Sequence, residues 1–317
     1  MSDNFTKVST TVLDEVHAGI AELTVGTGLG GVTAGQVVRY VKDSEKDRIE
    51  NYKMFSTSFS EATFTLRQPF LAKLNDSQAI FASWGAGSGV NVQVLNITSH
   101  TVTRGTAKSI GTLQGNTDED VHIVGITDTK ALLVCADNSN SSYCTVIVLE
   151  ISGDTITYGA PYVVNAQYSD SVRLVRLSDT EAIVCYNDFG NSEYGTANYL
   201  TIAGTVVTWG AQKVFYSGAS YFYNLDFISP TEAVVVFRED SGSTGYACIL
   251  GISGTNVISG TPVQFEPTSS VSYPAVKMVS SIKALVIYTR SNIGYGCFLD
   301  IAGTVITSQT PLQWNAN

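Results

Sequence analysis

The stretch AIVCYNDFGNSEYGTANYLTIAGTVVTWGAQKVF, from Ala182 to Phe215, decides the fold. It reads as an apolar strand, a polar loop, a second strand, a tight glycine turn and a third strand. Near-copies begin at Ala79, Ala131, Ala233 and Ala284, so successive copies are 52, 51, 51 and 51 residues apart. Repeats of about 40 to 50 residues with four strands each are typical of a β-propeller, in which each repeat is one blade. The pattern therefore predicts an all-β protein.

Five complete copies lie between Phe70 and Trp314. Each copy adds one strand in front of the apolar strand, and that first strand ends in a short polar turn. The sequence predicts a propeller of five four-stranded blades over residues 63–317, preceded by a small β-rich module over residues 1–62. The alternative is six blades, with residues 12–66 as a divergent sixth, because this segment is loosely similar to the outer hairpin of the repeat.

Two glycines recur in the outer hairpin. The first lies in its tight turn, where a two-residue primed turn needs a positive φ. The second follows the hairpin and is replaced by Gln309 in the last copy. The turn glycines are Gly153, Gly204, Gly254 and Gly303, and the second set is Gly105, Gly159, Gly210 and Gly260. Pro161, Pro262 and Pro311 come two residues after the second position, where we expect them to close the fourth strand because proline has no N–H for the ladder.

Composition and charge argue against several classes of function. Apolar residues make up 44% of the chain and charged residues 15%, and the 28 Gly and 16 Tyr favour strands and turns. The net charge is −10 with only 18 Lys and Arg, whereas nucleic-acid binding needs a dense cationic face. No apolar run reaches the roughly 18 residues of a membrane span, and the N-terminal residues do not resemble a signal peptide. We expect no cofactor and no metal.

The five cysteines have no CxxC spacing, and most of them fall inside strand patterns. We interpret them as buried free thiols. Cys135 and Cys144 flank one hairpin loop, so a disulfide between these two is the alternative.

The repeat also resembles a known family. The unit with ISGDTITYGAPYVVN (151–165) and VRLVRLSDTEAIVCYND (172–188) resembles repeat propellers in virion structural proteins of tailed bacteriophages, including tail-associated and head-decorating proteins. This resemblance covers residues 70–314, and GVTAGQVVRYVKD (31–43) is similar to a strand pattern of small capsid-decoration and head-fibre modules. It implies that residues 1–62 attach to other virion proteins of capsid or tail. It also implies a propeller displayed outward, as a homo-oligomer or in several copies, on a particle assembled in the host cytoplasm.

Aromatic residues that occupy comparable places at the ends of the second strands are candidate sugar contacts. The aromatic set is Trp84, Tyr186, Phe237 and Tyr288, and the adjacent polar residues are Asn187, Arg238 and Arg290. An aromatic face beside fixed polar groups suits the apolar and hydroxylated sides of a pyranose, here a glycan of the host surface. The alternative interpretation is that these rings pack between blades.

A hydrolase is a third possibility, because some propellers cleave sugars with carboxylates that converge at the channel mouth. Asp120, Asp170 and Asp226 lie near first strands, but at unequal depths. His122 also lies on a first strand, and we interpret it as a structural residue held by hydrogen bonds.

Asp137 and Asp188, like Asp240, follow second strands. We favour the interpretation that these side chains accept hydrogen bonds from nearby backbone N–H groups in turns, over calcium binding.

The sequence therefore leads to three hypotheses. The first is a non-enzymatic phage virion structural protein whose propeller also serves in adhesion to the host surface. The second, which is compatible with the first, is a glycan-binding lectin or receptor-binding adhesin. The third is an extracellular glycoside hydrolase.

Overall fold

The computed structural model describes residues 38–41, 48–51, 67–85, 89–98, 101–115 and 121–314. The chain divides into two compact units, residues 1–61 with 97–102 and residues 62–96 with 103–317. In the first unit, β1 (Val38–Val41) pairs antiparallel with β2 (Arg48–Asn51). The rest of the module predicted over residues 1–62 lies outside the described residues. That module and its boundary at residue 62 stay predictions.

The second unit is built from antiparallel strands in five successive groups, which we call repeats one to five. Repeat one contains β3 (Arg67–Lys73), β4 (Gln78–Gly85), β5 (Gly89–Ile97), β6 (Val102–Arg104) and β7 (Lys108–Ile110). Repeat two contains β8 (Val121–Thr127), β9 (Lys130–Asp137), β10 (Tyr143–Ser152) and β11 (Thr155–Tyr158), and it shares β12 (Tyr162–Ser178) with repeat three. Repeat three continues with β13 (Glu181–Asp188), β14 (Tyr194–Ala203) and β15 (Val206–Trp209), and it shares β16 (Lys213–Ser229) with repeat four. Repeat four continues with β17 (Glu232–Glu239), β18 (Thr244–Ser253), β19 (Asn256–Ser259) and β20 (Val263–Glu266). Repeat five contains β21 (Val271–Ser280), β22 (Lys283–Arg290), β23 (Ile293–Ala302), β24 (Val305–Ser308) and β25 (Leu312–Gln313).

Short helical turns follow two of the second strands, at Asn138–Asn140 and Phe189–Asn191. Within the described ranges, no helix has the length and apolar character needed to cross a membrane.

The fourth strand of each repeat is broken in the middle. In repeat two, β10 pairs through its second half with β11 and through its first half with β12. The break falls at residues 159–161, so Pro161 interrupts the fourth strand rather than closing it. Proline is tolerated at residue 161 because this position belongs to neither paired segment, so its missing N–H breaks no ladder bond. Strands β12 and β16 are each 17 residues long, because they continue from the edge of one repeat into the first strand of the next.

The turn glycines have the backbone conformation that the sequence predicts. Gly153 and Gly303 both have a φ of +58°, and each lies in a two-residue turn between paired strands. Residues 99 and 100, which take the place of this turn in repeat one, lie outside the described residues.

Four hydrophobic clusters lie between successive repeats. In a repeat that has another repeat on each side, the second strand contributes to two clusters, because alternate side chains point to opposite faces of a strand. In β9, Ala131 and Leu133 join the cluster shared with repeat one, while Leu132 and Val134 join the cluster shared with repeat three. This burial on both faces explains why the second strands are apolar at nearly every position.

Repeat five has a face with apolar side chains that are partly exposed. Ile287 on β22 is 38% exposed and Phe298 on β23 is 39% exposed. Val236 and Ile249, at the equivalent positions of repeat four, are fully buried in the cluster shared with repeat five. Residues 12–66 of the six-blade alternative fall largely outside the described ranges. The choice between five and six blades therefore stays a prediction.

All five cysteines are free and buried, which confirms the interpretation as buried thiols. Cys144 on β10 lies opposite Ala136 on β9, and Cys135 lies opposite Thr145. Since side chains alternate along a strand, Cys135 and Cys144 point to opposite faces and belong to different hydrophobic clusters. The alternative of a disulfide between them is wrong.

Candidate functional site

Three of the aromatic residues predicted to contact sugar lie inside the protein. Tyr186 and Phe237 are fully buried, and Tyr288 is 4% exposed. The Tyr186 hydroxyl donates to Asn198 Oδ1 at 2.7 Å and accepts from Gln212 Nε2 at 2.9 Å. A sugar cannot reach these ring faces. The geometry supports the alternative that they pack between repeats.

Trp84 does not occupy the place of the other three rings. Counted from the alanine that leads each second strand, Ser83 holds the position of Tyr186, and Trp84 comes one residue later. A shift of one residue turns a side chain to the other face of a sheet. Trp84 accordingly packs in the cluster between repeats one and two, 6% exposed. The prediction that it is comparable with the others is wrong.

The side chains of Asn187 and Arg290 form hydrogen bonds with other parts of the protein. Asn187 is fully buried and donates from Nδ2 to the Ser220 carbonyl at 2.9 Å. Arg290 donates from Nη1 to the buried carboxylate of Glu266 at 2.9 Å and from Nη2 to the Tyr295 hydroxyl at 2.6 Å. Both side chains therefore fix the boundaries between repeats.

Among the residues that the sequence predicts to contact sugar, Arg238 lies beside aromatic rings that are partly exposed. Its guanidinium carbon is 4.5 Å from the centroid of the Phe222 ring and 5.8 Å from that of Tyr221. The Phe222 ring centroid is 4.8 Å from that of Tyr273, a residue that is 63% exposed. We call Tyr221, Phe222, Arg238 and Tyr273 the aromatic platform. Cation–π contacts hold a charged hydrogen-bond donor against its rings.

Two carboxylates border the aromatic platform. Arg238 Nη2 donates to Asp240 Oδ1 at 3.2 Å, and the Tyr221 hydroxyl donates to Glu193 Oε2 at 2.5 Å. Burial raises the pKa of Tyr221, and the bond to Glu193 raises it further, so this hydroxyl remains a donor. The platform thus combines apolar ring faces, a cationic donor and acceptor oxygens. These are the groups that a polyhydroxylated ring with one apolar face requires.

Two residues of the aromatic platform have a left-handed backbone conformation, which is uncommon for a residue other than glycine. Phe222 has a φ of +57° and Tyr273 of +49°, and Ser171, at the same position of an earlier repeat, has +52°. All three mark an irregularity in strand pairing where the chain enters a first strand. Left-handed backbone costs a non-glycine residue on the order of 1–3 kcal/mol, and such strain concentrates at functional sites.

Sequence reasoning missed Phe222 and Tyr273. The predicted sugar contacts lie at the ends of the second strands, whereas these two rings lie where the chain enters the first strands. The available signal was an aromatic residue at one repeat position in two consecutive repeats, in YFYNL (221–225) and SYPAV (272–276).

The first strands of repeats one to four line a cavity of about 540 Å³, which was the expected place for hydrolase carboxylates. Asp226 lines it, but its two oxygens accept hydrogen bonds from Lys277 Nζ and the Met278 N–H, each at 2.6 Å. Asp170 is not among the lining residues, and Asp120 lies outside the described part of the chain. The carboxylates that the structure does describe therefore do not converge, and the geometry gives the hydrolase hypothesis no support.

His122 lines the same cavity and acts as a hydrogen-bond acceptor. Its Nδ1 accepts the Leu174 N–H at 3.1 Å, and its ring meets Phe70 edge to face with centroids 5.1 Å apart. In repeat four, Asn224 Oδ1 accepts the Val276 N–H at 3.0 Å in the same way. The interpretation of His122 as hydrogen-bonded structure is confirmed.

We expect His122 to make stability depend on pH. Burial, and then the charge of Arg173, lower the pKa of His122 from 6.5 to about 3. Because the unfolded chain takes up this proton first, the free energy of unfolding should fall as pH drops from 6.5 towards 3, by up to about 1.4 kcal/mol per pH unit. His122→Asn copies Asn224 and should keep the Leu174 bond while removing this loss. Urea unfolding of both proteins between pH 7 and pH 4 measures this loss of stability. Parallel pH profiles for the wild type and His122→Asn would contradict the prediction.

The aspartates after the second strands make local turn contacts. Asp137 Oδ1 accepts the Ser139 N–H at 3.1 Å, and Asp188 Oδ1 accepts the Gly190 N–H at 3.1 Å. Asp240, as described above, pairs with Arg238. In the part of the chain that the structure describes, no group of three or more His, Cys, Asp or Glu is placed to hold a metal ion. The turn interpretation is the one that these contacts support.

Comparison with known proteins finds no matching family model and no matching curated protein. Among solved structures, the chain is similar to the BP39L lectin from Burkholderia pseudomallei, with a TM-score of 0.58 and 13% identity over 84% of this chain and 74% of that one. It is also similar to the SapL1 lectin in complex with alpha methyl fucoside, with a TM-score of 0.49 and 15% identity over 79% and 82% of the two chains. A third is a mutant Aleuria aurantia lectin in complex with Fucalpha1-6GlcNAc, with a TM-score of 0.44 and 10% identity over 78% and 96%. At such identities the likeness concerns the fold alone, and the likeness to BP39L agrees with the repeated four-stranded topology in showing a β-propeller fold.

Proposed function

We propose that this protein binds carbohydrate through the aromatic platform and acts as a binding protein rather than an enzyme. The observation that carries the proposal is that the half-buried Phe222 and the exposed Tyr273 keep aromatic side chains on left-handed backbone beside Arg238. A pyranose would lay its apolar face on these rings, receive hydrogen bonds from Arg238 and donate its hydroxyls to Asp240. The fold that the chain shares with a lectin supports this proposal.

The contacts of Arg238 hold its guanidinium in place before a ligand binds. The ion pair with Asp240 and the two ring contacts already fix the guanidinium, so little side-chain entropy remains to be lost on binding. Its side chain is 21% exposed, which leaves part of the charged donor accessible from solvent.

We expect Phe222→Gly to separate binding from stability. Glycine accepts a φ of +57° without strain, so this variant should unfold within about 1 kcal/mol of the wild type although it loses ring contacts. Its affinity for a bound glycan should fall at least about tenfold, which corresponds to 1.4 kcal/mol. A glycan array followed by calorimetry on the best glycan measures the change.

Tyr273→Ala should show the same loss of affinity. Trp209→Ala is the matched control, because Trp209 is a 41% exposed ring on β15 outside the platform. Unchanged glycan affinity in both Phe222→Gly and Tyr273→Ala would refute the platform as the binding site.

Display on a phage particle is the second part of the proposal, and its support is the sequence resemblance stated above. In that setting, residues 1–62 would attach to capsid or tail proteins and the platform would meet host glycans. Peptide identification in purified particles tests this placement, and absence of the chain from intact particles would remove it.

A further inference from the structure

Building on the proposed function, we infer that Tyr168 and Phe189 form a second sugar subsite and that the ligand is an oligosaccharide rather than a single sugar. The two rings meet edge to face with centroids 4.4 Å apart and an interplanar angle of 81°. They are 39% and 37% exposed. A pair of rings that leaves this much surface in water offers the same apolar face that the aromatic platform offers.

The second pair lies one repeat before the platform and at the same end of the strands. Tyr168 on β12 precedes the irregular pairing at Ser171, as Phe222 stands at the corresponding irregularity on β16. Phe189 directly follows β13, as Asp240 directly follows β17. The two aromatic surfaces therefore lie at the same end of successive repeats, although different positions of the repeat supply their rings. A glycan chain presents the apolar faces of its sugars in a similar succession.

The loop that carries Phe189 is held firmly in place. Asp188 Oδ1 accepts the Gly190 N–H at 3.1 Å and the Asn165 Nδ2–H at 3.0 Å, and the Glu193 N–H donates to the Asp188 carbonyl at 2.9 Å. A Cβ on Gly190 would come within 2.5 Å of Gln167 Cγ, so the loop lies directly against β12. Fixed rings lose little entropy when a ligand binds, which favours a recognition surface over a mobile loop.

The chain itself supplies a matched variant for the test. Repeat four has Ala219 where repeat three has Tyr168, since Ala219 pairs with Tyr194 as Tyr168 pairs with Tyr143. It likewise has Asp240 at the position of Phe189. The double variant Tyr168→Ala with Phe189→Asp therefore installs residues that the same fold already accepts at these positions, and we expect it to fold.

The probe is an array of neutral and acidic oligosaccharides of two to eight sugars together with their methyl glycosides. For the wild type we expect affinity to rise with chain length. The double variant should bind methyl glycosides as the wild type does, but should lose at least about tenfold in affinity for the longer chains, or 1.4 kcal/mol. Phe222→Gly should weaken binding at every length.

The outcomes separate the two proposals. Equal affinities of the double variant and the wild type at all lengths would overturn the second subsite while leaving the first intact. Wild-type affinity that does not depend on chain length would also overturn it. A wild type that binds nothing on the array would remove the proposed function, and the second subsite with it. Matching thermal unfolding curves establish that the double variant is folded, and a methyl glycoside bound with wild-type affinity gives a second measure of the same kind.

Discussion

Replacing Gly210 by alanine is expected to lower the free energy of unfolding by about 3 kcal/mol, the upper end of the usual cost of overpacking. Gly210 follows β15, and a Cβ built there would fall inside van der Waals contact with the Thr255 carbonyl oxygen in the hairpin turn of repeat four. The Cβ would be attached directly to the backbone of residue 210, and the oxygen that it meets belongs to the backbone of Thr255, so neither side can rotate away. The Gly210 N–H is also bonded to the Tyr199 carbonyl at 3.0 Å, so relief requires a shift of strands.

Gly111→Ala is the control for this prediction. Apart from Gly111 and its two chain neighbours, no residue that the structure describes has an atom within 4 Å of a Cβ built at Gly111, and its φ is outside the left-handed region. The same substitution there should change the free energy of unfolding by no more than about 0.5 kcal/mol. Denaturant unfolding with equal m-values compares the two variants. If Gly210→Ala and Gly111→Ala had the same denaturant midpoint, the claim that residue 210 lies tightly against the Thr255 carbonyl would be wrong.

The recurring glycine shows what a periodic sequence can and cannot predict. The period marks Gly105, Gly159, Gly210 and Gly260 as equivalent. It does not reveal that each lies against the outer turn of the next repeat, at Asp154, Thr205, Thr255 and Thr304 respectively. Each turn lies 44 to 49 residues further along the chain, and only the stacking of repeats brings it close. Gln309 replaces glycine in the last copy, where no described turn of a following repeat approaches, and its Nε2 donates to Asp300 Oδ2 at 2.6 Å.

Strands, turns and the two-sided burial of second strands could be predicted because they depend on local periodicity. The break at Pro161 could not, because β10 divides its pairing between two segments that are separate in sequence. The prediction that Trp84 is comparable with the other aromatic residues is wrong because Trp84 lies five residues after its leading alanine, whereas Tyr186 lies four after its own. That difference of one residue places the two side chains on opposite faces of their strands.

The candidate site was the least predictable part. Arg238 was found because it ends an apolar strand beside an aromatic residue. That neighbour, Phe237, is buried, and the rings that Arg238 meets are 16 and 17 residues earlier on β16. A residue's repeat position indicates its neighbours within the blade. Contacts such as that between Phe222 and Tyr273 depend on left-handed backbone at non-glycine residues, for which the sequence carries no local signal.

Glu266→Ala is expected to lower the free energy of unfolding at pH 7 by about 3 to 5 kcal/mol, the cost of removing one partner of a buried ion pair. Glu266 is 1% exposed. Its Oε2 accepts the Tyr288 hydroxyl at 2.7 Å and Arg290 Nη1 at 2.9 Å, and its Oε1 accepts the Thr268 N–H at 2.8 Å. The substitution leaves a buried hydroxyl and a largely buried guanidinium without their acceptor, which costs more than the lost bonds alone.

The pH dependence of the Glu266 variants tests the same network independently. Burial alone would raise the pKa of Glu266, but hydrogen bonds from Tyr288 and Thr268, with the charge of Arg290, hold it below the ordinary 4.5. The stabilisation is therefore complete above pH 4.5 and is lost as pH falls through the folded-state pKa. Glu266→Gln has no charge to titrate, so the stability difference from the wild type should shrink in acid. Glu150→Ala, which removes an exposed partner 3.5 Å from Lys130 Nζ, should cost only about 0–1 kcal/mol. A Glu266→Ala variant as stable as Glu150→Ala at pH 7 would show that this network does not stabilise the boundary between repeats four and five.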